Sequence, residues 1–201
     1  MNNQIIKIEP IPKYFSITWM LGSFCNYDCM YCPPELHDDT SRPHDLETMQ
    51  IVWRNIYDKT QHLGLKYKIS FTGGEVTANK SFLPLVNWLR STYADIAMIV
   101  ITTNGSASAN YYLKLARVVE AISFSTHSEF MIEEEFFDKA VKVNSIMISP
   151  NKSFHVNIMD EYWNKEGIKR YKSILDSYQI NYSTNKIDYS NQIRTYPIER
   201  V

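Results

Sequence analysis

The sequence predicts an α/β fold, an open, partial (β/α)6 barrel of parallel strands, on three observations. Short apolar runs alternate with amphipathic helical stretches along the chain. A βα unit takes about 30 residues, so 201 residues hold six units and not the eight of a closed barrel. Of six glycines, Gly22, Gly73, Gly74 and Gly105 fall just after the first three predicted strands. At those strand ends, backbone and ligand come close in such folds.

The elements follow in order. Phe15, Ile17, Trp19 and Leu21 alternate in a strand over Tyr14 to Leu21, which leads straight into a cysteine loop. Asp45 is a good N-cap for a helix whose Met49, Val52, Trp53 and Ile56 share one face. Lys68 to Thr72 is the second strand, and Phe82, Leu85, Val86 and Leu89 mark the second helix. Ile96 to Thr102 is near-continuously apolar, as a strand buried on both faces should be. A helix over Ala109 to Arg117 and a strand over Val118 to Ser125 come next.

The second half carries a weaker version of the same pattern. Ile132, Phe136, Ala140 and Val143 predict a helix, with a turn or short extended piece over Ser145 to Ser149. His155 to Met159 is the fifth strand, and Trp163, Tyr171, Ile174, Leu175 and Tyr178 line a helix. Asp160 and Glu161 are candidates for a polar substrate contact, and more readily for capping that helix at Tyr162, where carboxylates are favoured. Gln179 to Ile187 is the sixth strand. One domain, residues 1–187, thus precedes a polar tail, 188–201.

Composition narrows the function. Apolar residues at 44% and aromatics at 13% suffice for a core. A net charge of -1 gives no electrostatic reason to expect a nucleic-acid partner. The basic run of Lys165, Lys169, Arg170 and Lys172 reads as a solvated helix face. Met1 to Lys13 lacks the apolar region of a signal peptide, and the longest apolar run, Ile96 to Ile101, is too short to span a bilayer. Three clustered cysteines make no disulfide scaffold, and free thiols need a reducing compartment, so the expected location is cytoplasmic.

Those cysteines, Cys25, Cys29 and Cys32, lie within eight residues in a C-x3-C-x2-C spacing. A [4Fe–4S] cluster normally takes four Cys ligands, so three leave one iron open to a small molecule. Two other chemistries suit the same residues. Zinc accepts three Cys and one His, with His37 or His44 as candidate fourth ligands. Cys29-Met30-Tyr31-Cys32 could also act as a dithiol, although no helix starts directly after its first Cys.

Asn26 after the first Cys, Tyr31 before the last, Pro33 after it and the later Gly73-Gly74-Glu75 together resemble the radical S-adenosylmethionine (radical SAM) superfamily. The resemblance runs from about Tyr14 to Ile187, strongest up to about His127. It implies a TIM-like partial barrel and a [4Fe–4S] cluster on Cys25, Cys29 and Cys32, whose open iron takes the methionyl amine and carboxylate of S-adenosylmethionine. It places Tyr31 near the adenine and Gly73 and Gly74 against the methionyl amine, with Glu75 steadying the turn. Ser125 is implied at the ribose or the methionyl carboxylate.

Asn104, in Thr102-Thr103-Asn104-Gly105, is a candidate for ribose or substrate and equally an ordinary turn residue. His127 is a candidate proton donor to the substrate and equally a rim residue bonded to backbone. Two glycines let backbone touch a ligand. On that reading, valines at Gly73 and Gly74 weaken cofactor binding and leave the cluster intact. Val76 stands where the family commonly has Pro, so a looser backbone is expected after Glu75.

The function implied is reductive cleavage of S-adenosylmethionine to a 5′-deoxyadenosyl radical that abstracts hydrogen from a small-molecule, peptide or protein substrate. A one-electron reductant such as a flavodoxin or ferredoxin would be its partner. No Cys follows Cys32, so no auxiliary cluster can be built within this chain. The alternative is a non-catalytic iron–sulfur or zinc protein serving as a redox carrier or interaction module.

Overall fold

The computed structural model describes residues 13–33 and 40–188. Residues 1–12, residues 34–39 with His37, and residues 189–201 lie outside the described residues. Six strands form one sheet in sequence order: β1 (Tyr14–Met20), β2 (Lys66–Thr72), β3 (Ile96–Thr103), β4 (Ala121–Ser125), β5 (Ser153–Asp160) and β6 (Tyr182–Lys186). Every neighbouring pair is parallel. Helices α1 (Leu46–Thr60), α2 (Phe82–Thr92), α3 (Ala109–Val118), α4 (Glu133–Ile146) and α5 (Lys165–Ser177) connect them. The expected open, partial (β/α)6 barrel is the fold observed.

The core lies between the sheet's outer face and the helices. Ile69, Phe71, Ile99, Ile101, Ile122, Phe124, Val156 and Ile158 are buried there. Trp53 of α1 is fully buried and stacks on Trp19 at 6.3 Å, while Phe71 meets Phe82 of α2 edge-on at 5.2 Å. Asp45 caps α1 by accepting from Thr48 N at 2.7 Å, as its sequence position suggests. Exposed ion pairs, Lys165–Asp160, Lys169–Glu166 and Arg170–Glu133, occupy the basic run on α5.

The inner face differs from expectation. β3 is buried on one side only: Met98 and Val100 are half-buried and Thr102 is exposed. Ser16, Thr18 and Met20 of β1 are exposed as well. A closed barrel packs its interior with side chains; here β1 and β6 do not meet in the sheet, and the concave side stays open.

Three boundaries also move. Arg90 of α2 donates to the Val118 carbonyl at 2.8 Å and pairs with Glu120, so the fourth strand starts at Ala121 instead of Val118. α4 continues through Ser145 to Ile146. Gln179 has φ 54 and Ile180 N bonds to Leu175 O at 2.9 Å, so helix closure occupies the residues read as the start of the sixth strand.

Candidate functional site

The carboxyl ends of the strands surround a cavity of about 370 Å3, within the roughly 300–1,000 Å3 of small-molecule sites. Cys25, Cys29, Cys32, Tyr31, Gly73, Gly74, Glu75, Asn104, Ser125 and His127 all border it. These ten residues singled out in the sequence thus come to one place.

The cysteine loop follows β1 directly. Cys32 N bonds to Cys29 O at 2.9 Å, which brings the second and third thiols round one turn. Tyr27 N donates to Cys25 Sγ at 3.4 Å, and His127 Nδ1 lies 3.4 Å from Cys29 Sγ. Burial pushes the Cys25 thiol up and the Cys29 thiol far up, so ligation here must displace protons.

Among the described residues, no three His, Cys, Asp or Glu side chains converge to hold a single ion. His44 borders a neighbouring cavity with Arg42 and Phe24, apart from the thiols. An iron–sulfur cluster takes its thiolates on different irons and does not require them to meet at a point. Three thiols around one cavity, with no fourth cysteine in the chain, fit a cluster that keeps one iron without a protein ligand.

The glycine pair has a different local reason from the one expected. A Cβ at Gly74 would sit 2.1 Å from Phe24 O, and one at Gly73 would sit 2.5 Å from Gly22 O. Gly73 also has φ +139, a conformation that side chains oppose. Gly74 N bonds to Gly22 O at 2.9 Å and Glu75 N to Phe24 O at 2.8 Å. The glycines therefore let the end of β2 pack onto the start of the cysteine loop, besides bordering the cavity.

Glu75 turns inward and is 3% exposed. Its Oε1 accepts from Thr77 N at 2.8 Å, Thr77 Oγ1 at 2.5 Å and Thr103 Oγ1 at 2.6 Å, and its Oε2 from Asn104 N at 2.6 Å. Burial pushes this carboxyl up, against the pull of those hydrogen bonds. The carboxylate joins the ends of β2 and β3. It also caps a 3-10 turn, Val76–Ala78, so the backbone at the buried Val76 is held without a proline.

Asn104 is likewise turned to the protein. Its Nδ2 donates to Asn26 Oδ1 at 3.0 Å and its Oδ1 accepts from Ser106 N at 3.0 Å. The turn and the cysteine loop thus share one side chain.

Sequence reasoning favoured Glu161 as a helix cap and missed its contact with Tyr31. Asn164 holds the N-cap position of α5, Asp160 pairs with Lys165, and Glu161 folds back with 0% exposure. Its Oε1 accepts from Ser128 N at 3.0 Å and Tyr31 Oη at 3.3 Å. Tyr31 Oη also lies 2.6 Å from His127 Nδ1, with the two rings stacked at 6.0 Å. Burial pushes the His127 imidazole down to about 4, so it is neutral at pH 7. Asn164, three residues on, is the better cap and the only local signal that Glu161 is free for other work. Tyr27 and Met159 line the cavity without any motif to mark them.

These features define a class: a parallel half-barrel whose cavity is bordered by three thiols at the strand ends. No family model matches the chain. The GTP 3',8-cyclase of Pasteurella multocida (strain Pm70) is 30% identical over 93 residues, which is 46% of this chain and 27% of that protein. The GTP 3',8-cyclase of Mannheimia succiniciproducens is 28% identical over 93 residues, with the same shares. The chain therefore covers about a quarter of the length of these curated relatives. SuiB of Streptococcus suis, a crystal structure, aligns with 91% of this chain and 43% of its own at a TM-score of 0.63 and 15% identity, a likeness of fold. Taken with the cysteine loop, these likenesses agree with the resemblance to the radical SAM superfamily carried by the sequence.

Proposed function

We propose that the chain is a radical SAM enzyme. Loaded with a [4Fe–4S] cluster and S-adenosylmethionine, the site supplies one-electron cleavage to methionine and a 5′-deoxyadenosyl radical, which takes a hydrogen atom from a substrate. The supporting observation is that the three thiols, the Gly73–Glu75 turn, Tyr31, Asn104, Ser125 and His127 border one cavity, though they come from widely spaced parts of the chain. The 93-residue match to the cyclases supports the initiating chemistry and assigns no substrate.

Each residue has a task in this reading. Cys25, Cys29 and Cys32 hold three irons. The backbone at Gly73 and Gly74 meets the methionyl group, and Tyr31 forms the wall for the adenine. Ser125 serves the ribose or carboxylate, and Asn104 keeps the cysteine loop against β3 through Asn26. His127 stands on the cavity wall to handle a substrate proton. Low exposure around Cys29 and Tyr31, both 8%, keeps water from the reacting centre. A flavodoxin- or ferredoxin-type reductant supplies the electron, and the substrate, a small molecule, peptide or protein, enters by the open concave face. Among the described residues no helix is long and apolar enough to cross a membrane.

Anaerobic reconstitution with iron and sulfide, followed by dithionite and S-adenosylmethionine, should release 5′-deoxyadenosine, measured by chromatography. A protein that binds iron and sulfide but neither binds nor cleaves S-adenosylmethionine would be an iron–sulfur carrier. A protein that holds only zinc would be a zinc module.

A further inference from the structure

Four side chains form a continuous line from a closed interior to the cysteine loop: Glu161, Tyr31, His127 and Cys29. Their hydrogen-bond roles follow from what each atom can do. Glu161 Oε1 already accepts the Ser128 amide proton at 3.0 Å, so it acts as an acceptor toward Tyr31 as well. Tyr31 has one hydroxyl proton and is also in hydrogen-bond contact with Cys29; on donating that proton to Glu161 or to Cys29 Sγ, it presents a lone pair to His127 Nδ1 at 2.6 Å. That contact is favourable only if Nδ1 carries the imidazole proton. The same Nδ1–H lies 3.4 Å from Cys29 Sγ, which as a ligated thiolate can only accept. The opposite assignment, with Tyr31 donating to Nδ1, sets two oxygen lone pairs against each other at Glu161 and leaves Cys29 without a donor from the ring.

The line is well braced. The Tyr31 and His127 rings are nearly parallel, at 13°, and Trp163 also packs on Tyr31 at 6.2 Å. Trp163 Nε1 donates to Ser128 Oγ at 3.3 Å, and Met30 N donates to Glu129 Oε1 at 3.4 Å. The segments after β4 and β5 thus grip the cysteine loop together.

We infer that Glu161 is a positioning residue which, through Tyr31, fixes His127 so that its Nδ1–H donates to Cys29 Sγ, and that this bond raises the reduction potential of the cluster held there. The inference rests on the proposed function for its cluster, while its geometry belongs to the chain alone. A donor on a ligand sulfur spreads the negative charge that the cluster gains on reduction. Hydrogen bonds to the sulfurs are among the factors that set cluster potentials. The second ring nitrogen, Nε2, has no hydrogen bond among the described residues. As the unprotonated nitrogen of this tautomer it is an acceptor, in place of the proton donor expected from sequence.

Two measurements test this. The first is 15N NMR of histidine-labelled, cluster-free protein, which reads the tautomer directly. Wild type and Glu161→Gln, whose amide oxygen can still accept from Ser128 and Tyr31, should hold His127 as the Nδ1–H form. Tyr31→Phe, which keeps the ring and removes the hydroxyl, should give a mixture. An Nε2–H form in wild type, or a Tyr31→Phe spectrum identical to wild type, would overturn the relay. The second is a potentiometric titration of the reconstituted cluster followed by electron paramagnetic resonance. His127→Phe should shift the midpoint to more negative potential and Tyr31→Phe should shift it less far in the same direction. An unmoved midpoint in His127→Phe with full iron content would overturn the tuning. If wild type assembles no cluster, the proposed function fails and takes the tuning with it, whereas the tautomer still decides the relay.

Discussion

Valine at both Gly73 and Gly74 should cost the protein its iron as well as its affinity for S-adenosylmethionine. The sequence alone suggests that the cluster would survive this change, because the glycines and the cysteines belong to different strand ends. The structure joins those ends. A Cβ at Gly74 meets Phe24 O at 2.1 Å and Ser23 O at 2.5 Å, and Phe24 immediately precedes Cys25. The loop must move away or β2 must withdraw. Either movement breaks the bonds Gly74 N–Gly22 O and Glu75 N–Phe24 O, each worth about 1 kcal/mol. Backbone strain at Gly73, with φ +139, adds about 1–3 kcal/mol. A total loss of about 3 kcal/mol or more is expected in urea unfolding, together with a fall in iron per chain after reconstitution. Wild-type iron content and an unchanged unfolding midpoint would show that the two strand ends are not coupled in this way.

Alanine in place of Cys25, Cys29 or Cys32 should each abolish 5′-deoxyadenosine formation and remove most of the bound iron. No fourth cysteine exists to replace a lost ligand, and among the described residues no His, Asp or Glu completes a metal-holding group with the thiols. Cys29 should be the most damaging position. It is 8% exposed and packed against His127, so its loss also removes the sulfur that the ring faces. Cleavage at the wild-type rate in any one of the three variants would remove that residue from the ligand set.

The sequence carried the strand and helix order well because the outer face of the sheet is a continuous apolar layer. Ile69 and Phe71, Ile99 and Ile101, Ile122 and Phe124 are buried at alternate positions of three neighbouring, paired strands. It misjudged β3 because Met98 and Val100 are apolar without being buried. Whether an inward residue is covered depends on closure of the barrel, which no local pattern encodes. The cavity's first ring was legible for the opposite reason: the cysteine spacing and the glycine pair are local signals. What joins them was not. Glu161 lies 130 residues from Tyr31 and looked like a helix cap until the fold turned it inward. Glu75 was legible as a residue that steadies its turn, yet its partners on Thr103 and Asn104 exist only once β2 and β3 are side by side.

The most direct measurement is electron paramagnetic resonance of the anaerobically reconstituted, dithionite-reduced protein before and after addition of S-adenosylmethionine, with iron and sulfide counted on the same sample. About four irons and four sulfides per chain are expected, with a cluster signal that changes shape when S-adenosylmethionine occupies the iron left without a protein ligand. A full cluster whose signal is indifferent to S-adenosylmethionine, or a protein that takes up zinc and no sulfide, would contradict the assignment of Cys25, Cys29 and Cys32 to an open, catalytic [4Fe–4S] site.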